Sequence, residues 1–311
     1  MSLFPAPILV NGATHSAQSF RMLVRDLSNG SEGITQGDDL KVTQLSTPGA
    51  GVQVADGSGI VRGRANTFQG SYAACNIGAA TVSIAATGGS PRSDMVILRV
   101  EDPEYEGSLN PAVDALAYFQ VISNVSSSAT AIPDGRTGIP LARIDIPAST
   151  STITDAMVKD IRKIANPRRE RTLWTQSPGS SSTPIGGTSS TYYHFDTAAG
   201  WSVPVPSWAS TVKIRYDIGG LRLSSGAVYG DFSAVFGASL ALQAVGIDDN
   251  TSGTRRYTQL MADTLTIPSA YRGTSQTLRA RVRCFVGNAG SLIVDTATTL
   301  IADVQFEEAP R

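Results

Sequence analysis

"TVKIRYDI", residues 211–218, decides the fold of this chain. Val212, Ile214, Tyr216 and Ile218 occupy every second position, and Thr211, Lys213, Arg215 and Asp217 fill the gaps. Successive side chains of a β-strand point to opposite faces, so this pattern predicts a strand with one face in a core and one in water. Two later stretches repeat it. In "TLRARVRCFV" (277–286), Leu278, Ala280, Val282 and Cys284 alternate with Arg279, Arg281 and Arg283. In "TTLIADVQFE" (298–307), Leu300, Ala302, Val304 and Phe306 form the apolar set. Half-buried strands of this kind belong to antiparallel sheets.

Working outward, the first half of the chain carries shorter β-like runs. They are "LKVTQL" (40–45), "GVQVA" (51–55), "GIVRGRA" (59–65), "ATVSIAA" (80–86), "MVILRVE" (95–101), "AYFQVI" (117–122) and "LARIDI" (141–146). Gly, Pro, Asn and Ser punctuate them, and no helix of crossover length separates them. The pattern predicts an all-β protein of two β-sandwich or jelly-roll-like domains.

Composition agrees with that class. In 311 residues, 41% are hydrophobic, enough for two cores, and only 16% are charged. The net charge of −1 supplies no global field for nucleic acid or an acidic membrane surface. No apolar run reaches the roughly 18 residues a membrane helix needs. "MSLFPAPILVNGA" lacks the basic and apolar regions of a secretion signal, so synthesis in a host cytoplasm is expected. Cys75 and Cys284 show no paired spacing and read as separate buried thiols in strands.

One segment breaks the β pattern. In "ITDAMVKDIRKIANPRRERTLW" (153–174), Ile153, Met157, Ile161 and Ile164 recur at helical spacing. Thr152 or Thr154 can cap the amino end, Asp155 and Arg162 suit the helix dipole, and Asn166-Pro167 stops the run. These features predict a short helix at about 153–165 that covers the first core. "PRRER" then reads as a charged hinge at 167–175 between domains 1–166 and 176–311. "TQSPGSSSTPIGGTSSTYY" (175–193) reads as a long loop or extended arm.

Certain stretches carry a family resemblance. "SPRSDMVILRVED" (90–102) and "IPLARIDIPASTSTITDAMVKDIR" (139–162) resemble the N-terminal domain of phage baseplate and minor tail proteins. Pro91, Arg92 and Asp94 fill the family's turn, Leu141 and Ala142 start its next strand, and Asp160 and Arg162 end the motif. "GVQVADGSGIVRG" (51–63) resembles the strand-turn-strand ahead of it. "GWSVPVPSWASTVKIRYDIGGL" (200–221), "IPSAYRGTSQTLRARVRC" (267–284) and "TTLIADVQFEE" (298–308) are similar to actinobacteriophage minor tail proteins. The resemblance implies a virion protein of the tail tip or baseplate, with other tail proteins as partners and three copies in the assembly. The motif charges read as structural, with Arg92 and Asp94 paired locally or with the Asp160/Arg162 end.

Candidate chemistry is sparse. The two histidines, His15 and His194, form no metal-binding spacing, and no nucleophile elbow or phosphate loop occurs. No metal, cofactor or catalytic set is expected. "IDDNTSG" (247–253) lacks the closing Glu of a calcium loop and reads as a turn. Asp196, Asp217, Asp231, Asp248 and Asp249 are available for a glycosidase pair, but none lies in a motif. Aromatic residues cluster in the second half. Exposed rings stack on sugars, and an outward arginine stripe suits an anionic cell-wall polymer. Trp201, Trp208, Tyr229, Tyr257, Arg279 and Arg281 are therefore the candidate glycan-binding residues. The expected function is structural and adhesive, with the first domain attached to the tail and the second facing a host glycan. The alternatives are a glycan depolymerase and a purely architectural part.

Overall fold

The computed structural model describes residues 10–178, 183–195 and 199–311. It is all-β apart from one α-helix and three 3-10 turns among those residues. Two compact units divide the chain: Met1–Pro167 with Ala309–Arg311, and Arg168–Glu308.

In the first unit, three small antiparallel sheets surround one core. The largest has Arg92–Val100 at its centre, paired on one side with Ala117–Ile122 and on the other with Gly138–Ile146. Every residue from Ser93 to Val100 is buried, as expected of a strand covered on both faces. The other sheets are Val42–Gln44 with Gly51–Val54 and Ala80–Ser83, and Gly33–Ile34 with Gly57–Arg62 and Ser71–Asn76. Val52, Val54, Val61, Leu98, Leu141 and Ile144 meet between them, at 0–5% exposure. Each such side chain contributes about 1.5–3 kcal/mol by leaving water.

The motif charges serve this packing. Strand period places residues i and i+2 on one face, and the ion pairs follow that rule. Arg92 donates two hydrogen bonds of 2.8 Å to Asp94, which is fully buried and also accepts from the Asn124 backbone. Arg143 holds Asp145 in the same way. Arg162 grips Asp160 at 2.9 and 2.7 Å and donates to the carbonyls of Asp39 and Arg311. The chain's last residue is thereby tied into the first unit, where Arg311 also pairs with Asp38 at 2.6 Å.

The helix expected at 153–165 does not form. Asp155–Met157 is a single 3-10 turn, and Val158–Asp160 is a strand paired with Ala142–Ile144. The buried residues are Ile153, Arg162 and Ala165, while Ile161 is only half-buried, so the apolar stripe does not face the core as a unit. β-branched residues at 153, 154, 158, 161 and 164 favour extended backbone, and an open sheet edge takes them up. The α-helix lies instead at Ala17–Leu27, capped by Ser16. The charged hinge at 167–175 is also corrected. Arg169–Gln176 is a strand paired along its full length with Leu300–Glu307. Its charges meet counter-charges there: Arg171 bonds Asp303, and Arg169 lies 3.7 Å from Glu307. Both cysteines are free, but Cys75 is exposed and only Cys284 is buried.

The second unit is a sandwich. One sheet orders Arg169–Gln176, Thr299–Glu307, Thr211–Ser224 and Arg255–Thr266, extended by Ser291–Ile293 and Ile185–Gly186. The other centres on Ser275–Cys284 and Val228–Phe236, flanked by Tyr193–His194, Gly200–Pro204, Leu240–Ala241 and Val245–Asp249. Val212, Ile214, Tyr216 and Ile218 are 0–1% exposed and share a core with Phe232, Phe236, Leu278 and Val282. A bulge at Gly219–Gly220 resets the alternation, so Leu221 and Leu223 also point inward. Gly220 has φ +71°, and a Cβ there would sit 2.5 Å from the Ala297 carbonyl oxygen.

Candidate functional site

The arginine stripe of Ser275–Cys284 builds the most organised polar surface of the second unit. Register sets the neighbours: Arg283 lies opposite Asp231 and Arg281 opposite Ser233, with His194 on Arg281's other side. Arg283 accordingly donates 2.9 and 2.8 Å hydrogen bonds to the two Asp231 oxygens. That bond raises the Arg283 pKa above its ordinary value.

Tyr192 packs under both cations. Its ring centroid is 4.2 Å from the Arg281 guanidinium carbon and 4.6 Å from that of Arg283. Both distances are within cation–π range. Arg283 also lies 5.2 Å from the Phe285 ring, and Phe285 meets Tyr229 edge-on at 5.3 Å. Tyr229 is 42% exposed, so this aromatic end of the patch is open to a ligand. Burial, then hydrogen bonding to Asp231, pushes the Tyr192 hydroxyl pKa up, so it stays protonated. Burial holds the His194 imidazole below its ordinary range, with Arg279 and Arg281 adding repulsion. His194 is therefore neutral at pH 7, and its Nδ1 donates to the Ala280 carbonyl at 3.2 Å.

Arg281 differs from Arg283. Among the described residues no carboxylate pairs with it, and its partner is the Tyr192 ring. A half-buried guanidinium stacked on tyrosine offers directed hydrogen bonds to a carboxylate or phosphate.

The six candidate residues do not converge. Tyr229 and Arg281 belong to this patch. Arg279 donates to the Phe195 carbonyl at 3.0 Å. Trp201 packs on the core, with its ring 5.4 Å from Tyr216. Trp208 and Tyr257 are also half-buried against that core, and the Arg168 guanidinium lies over Trp208 at 5.4 Å. Tyr192, Arg283, Asp231 and Phe285 complete the patch. Their signal was the alternation of "YYHFD", which puts Tyr192 and His194 on one face, together with the outward parity of Arg283.

The carboxylates considered for hydrolysis are mostly committed to arginines: Asp217 to Arg215, Asp231 to Arg283, and Asp249 to Arg255. Asp248 is exposed, and Asp196 lies outside the described residues. Arg255 holds the Asp249 carboxyl below the usual range, so it is a poor proton donor. Among the described residues, no three His, Cys, Asp or Glu side chains converge as a metal site.

No family model matches the chain, and no curated protein matches it. Some solved structures do. The infectious bursal disease virus Gx strain aligns over 90% of this chain and 79% of its own, at 12% identity and a TM-score of 0.25. The VP2 subviral particle of that virus covers 95% and 87%, at 12% and 0.22. The insecticidal delta-endotoxin Cry8Ea1 of Bacillus thuringiensis covers 90% and 55%, at 10% and 0.23. Scores this low describe a diffuse likeness and carry no argument about function.

Proposed function

We propose that this chain is a structural component of a phage particle, at the tail tip or baseplate, whose second unit contacts an anionic polymer of the host surface. The tail resemblance of residues 90–102 and 139–162 supports the particle role. Those motif charges are structural here, tying strands together through the Arg92–Asp94 and Asp160–Arg162 pairs. The resemblance also carries a three-copy assembly, and closed symmetry would hide strand edges. Arg281 carries the adhesive reading. It is the stripe's cation stacked on Tyr192 with no carboxylate among the described residues, and the Arg283–Asp231 pair separates it from the Tyr229–Phe285 edge. Uronic acids and phosphate-bearing sugars present the matching anion and an apolar ring face.

The experiment is binding of the full chain to immobilised anionic and neutral glycans at rising salt. The expected result is binding to the anionic set that weakens with salt, and falls about tenfold in Arg281→Gln, one charge-assisted bond's worth. Binding confined to neutral glycans, or unchanged in Arg281→Gln, sinks the reading. The Arg283–Asp231 pair favours an architectural alternative, in which the patch is closed on itself. Absence of glycan binding in a protein that still enters particles would select that alternative.

A further inference from the structure

We infer that the first unit carries a binding site for a phosphate ester of a small polyol, in the cleft lined by Arg25, Arg62 and Arg64. The cleft has a volume of about 400 Å³, and Asn66, Thr67 and glycines complete its lining, with no carboxylate and no aromatic ring. Strand parity sets one cation. Val61 is buried in the core, so its neighbour Arg62 faces outward at the end of Gly57–Arg62. Among the described residues Arg62 has no hydrogen-bond or ion-pair partner. Arg64 uses only Nη2, on Glu32 at 2.6 Å, which leaves its Nε and Nη1 without a partner among those residues. Arg25 comes from the Ala17–Leu27 helix. Its Nη1 donates to the Thr67 carbonyl at 3.3 Å, and its Nε and Nη2 donate to Asp26 at 3.0 and 2.8 Å. Asp26 and Glu32 thus hold two of the guanidinium groups from outside the lining.

The loop that meets Arg25 is fixed before any ligand arrives. Asn66 Oδ1 accepts from the Phe68 amide at 2.9 Å and starts the Thr67–Gln69 turn. Gln69 is fully buried, accepting from the Ala65 amide at 2.8 Å and donating to the Tyr72 hydroxyl at 3.0 Å. Gly70, at φ +80°, lets the loop lie on the helix, since a Cβ there would sit 2.6 Å from the Arg21 carbonyl carbon. Donors held in place this way lose little freedom on binding. The Asn66 amide nitrogen and the Thr67 hydroxyl donate to no other described residue and add to the set. These donors select the ligand. A carboxylate has one charge and matches one guanidinium fork, whereas a phosphate monoester has close to two charges at pH 7 and three strong acceptor oxygens. Three arginines fit the phosphate. With no aromatic ring in the lining, a nucleobase finds no stacking platform. A polyol needs none, and its hydroxyls match Asn66 and Thr67.

The test is titration calorimetry of the full chain carrying Arg281→Gln, so that the patch on the second unit does not contribute. The probes are glycerol 3-phosphate, inorganic phosphate and glycerol. Glycerol 3-phosphate should bind once per chain and several-fold more tightly than inorganic phosphate, and glycerol should not bind. Adding Arg62→Gln, which removes no bond within the protein, should weaken the ester about tenfold, the effect of one charge-assisted hydrogen bond. The dichroism melting curve should stay in place. Asp26→Asn, at a side chain 63% exposed, releases Arg25 and should tighten the ester. No saturable binding, binding unmoved by Arg62→Gln, or inorganic phosphate held as tightly as the ester would overturn the proposal. Glycan adhesion through Arg281 is measured in its own assay, so either reading can fail alone.

Discussion

Removing the Asp94 carboxylate tests whether the Pro-Arg-x-Asp motif is structural. Asp94 has no exposure and accepts three hydrogen bonds: two from Arg92 and one from the Asn124 backbone. Asp94→Ala leaves the Arg92 guanidinium and the Asn124 amide short of an acceptor and opens a small void. Breaking a buried pair costs about 3–5 kcal/mol. Arg92 is 22% exposed and keeps its bonds to the Ala85 and Ala86 carbonyls, so water recovers part of that cost. We expect a loss of about 2–4 kcal/mol, which for a unit of this size lowers its melting temperature by roughly 5–15 °C. The assay is built into the sequence. All three tryptophans, Trp174, Trp201 and Trp208, lie in the second unit, so their fluorescence reports that unit while circular dichroism reports both. Asp94→Ala should move the dichroism transition and leave the fluorescence transition in place. Arg92→Leu/Asp94→Leu should cost less than Asp94→Ala, because no unpaired charge remains. A loss below 1 kcal/mol in Asp94→Ala, or a double variant worse than the single, would refute the reasoning.

Other expectations follow from the same packing. Ile153→Ala, at 1% exposure, should cost about 2–4 kcal/mol, and Lys159→Ala less than about 0.5, by thermal unfolding. Limited trypsin digestion should spare Arg169 and Arg171, because their strand is paired over its full length; first cleavage there would mean the strand is not formed. Arg256, Arg171 and Lys213 hold Asp295, Asp303 and Glu307 below their ordinary pKa values. Depressed carboxylates stabilise above their unfolded pKa, so the second unit should hold a constant melting temperature from pH 7 to about 5 and lose stability below about 4. Tryptophan fluorescence against pH reads this, and a melting temperature still flat at pH 3 contradicts it. Gly220→Ala should cost about 1–3 kcal/mol through its left-handed backbone and the nearby Ala297 carbonyl, and a neutral result in urea unfolding contradicts that.

Sequence alone reached the strands that have one wet face. At 211–218, 277–284 and 300–306, alternation is dictated by water on one side, so burial followed it residue for residue. Of the i, i+2 charge pairs, Arg92–Asp94 was legible as one of two alternatives, the other being contact with the Asp160/Arg162 end. Segment 153–165 misled because its apolar spacing fits a helix, whereas the outcome was set by pairing with Ala142–Ile144 and by a bridge from Ile164 to Ile34, far away in sequence. The helix at Ala17–Leu27 was missed although Phe20, Leu23, Val24 and Leu27 recur at helical spacing. Its Ser16 cap and Gly30 stop were the available signals. The run "RRER" resembled a solvated linker because its counter-charges, Asp303 and Glu307, lie at the other end of the chain. In the candidate site, parity found Arg281 and Arg283. Residue type alone could not tell the exposed Tyr229 from Trp201, Trp208 and Tyr257, which pack on the core.

The particle role is tested most directly by locating the protein. Antibody raised against the purified full chain, applied to intact particles and viewed by electron microscopy, should label the tail tip. Label on the head alone, or particles that carry none of this chain by immunoblot, would contradict the account.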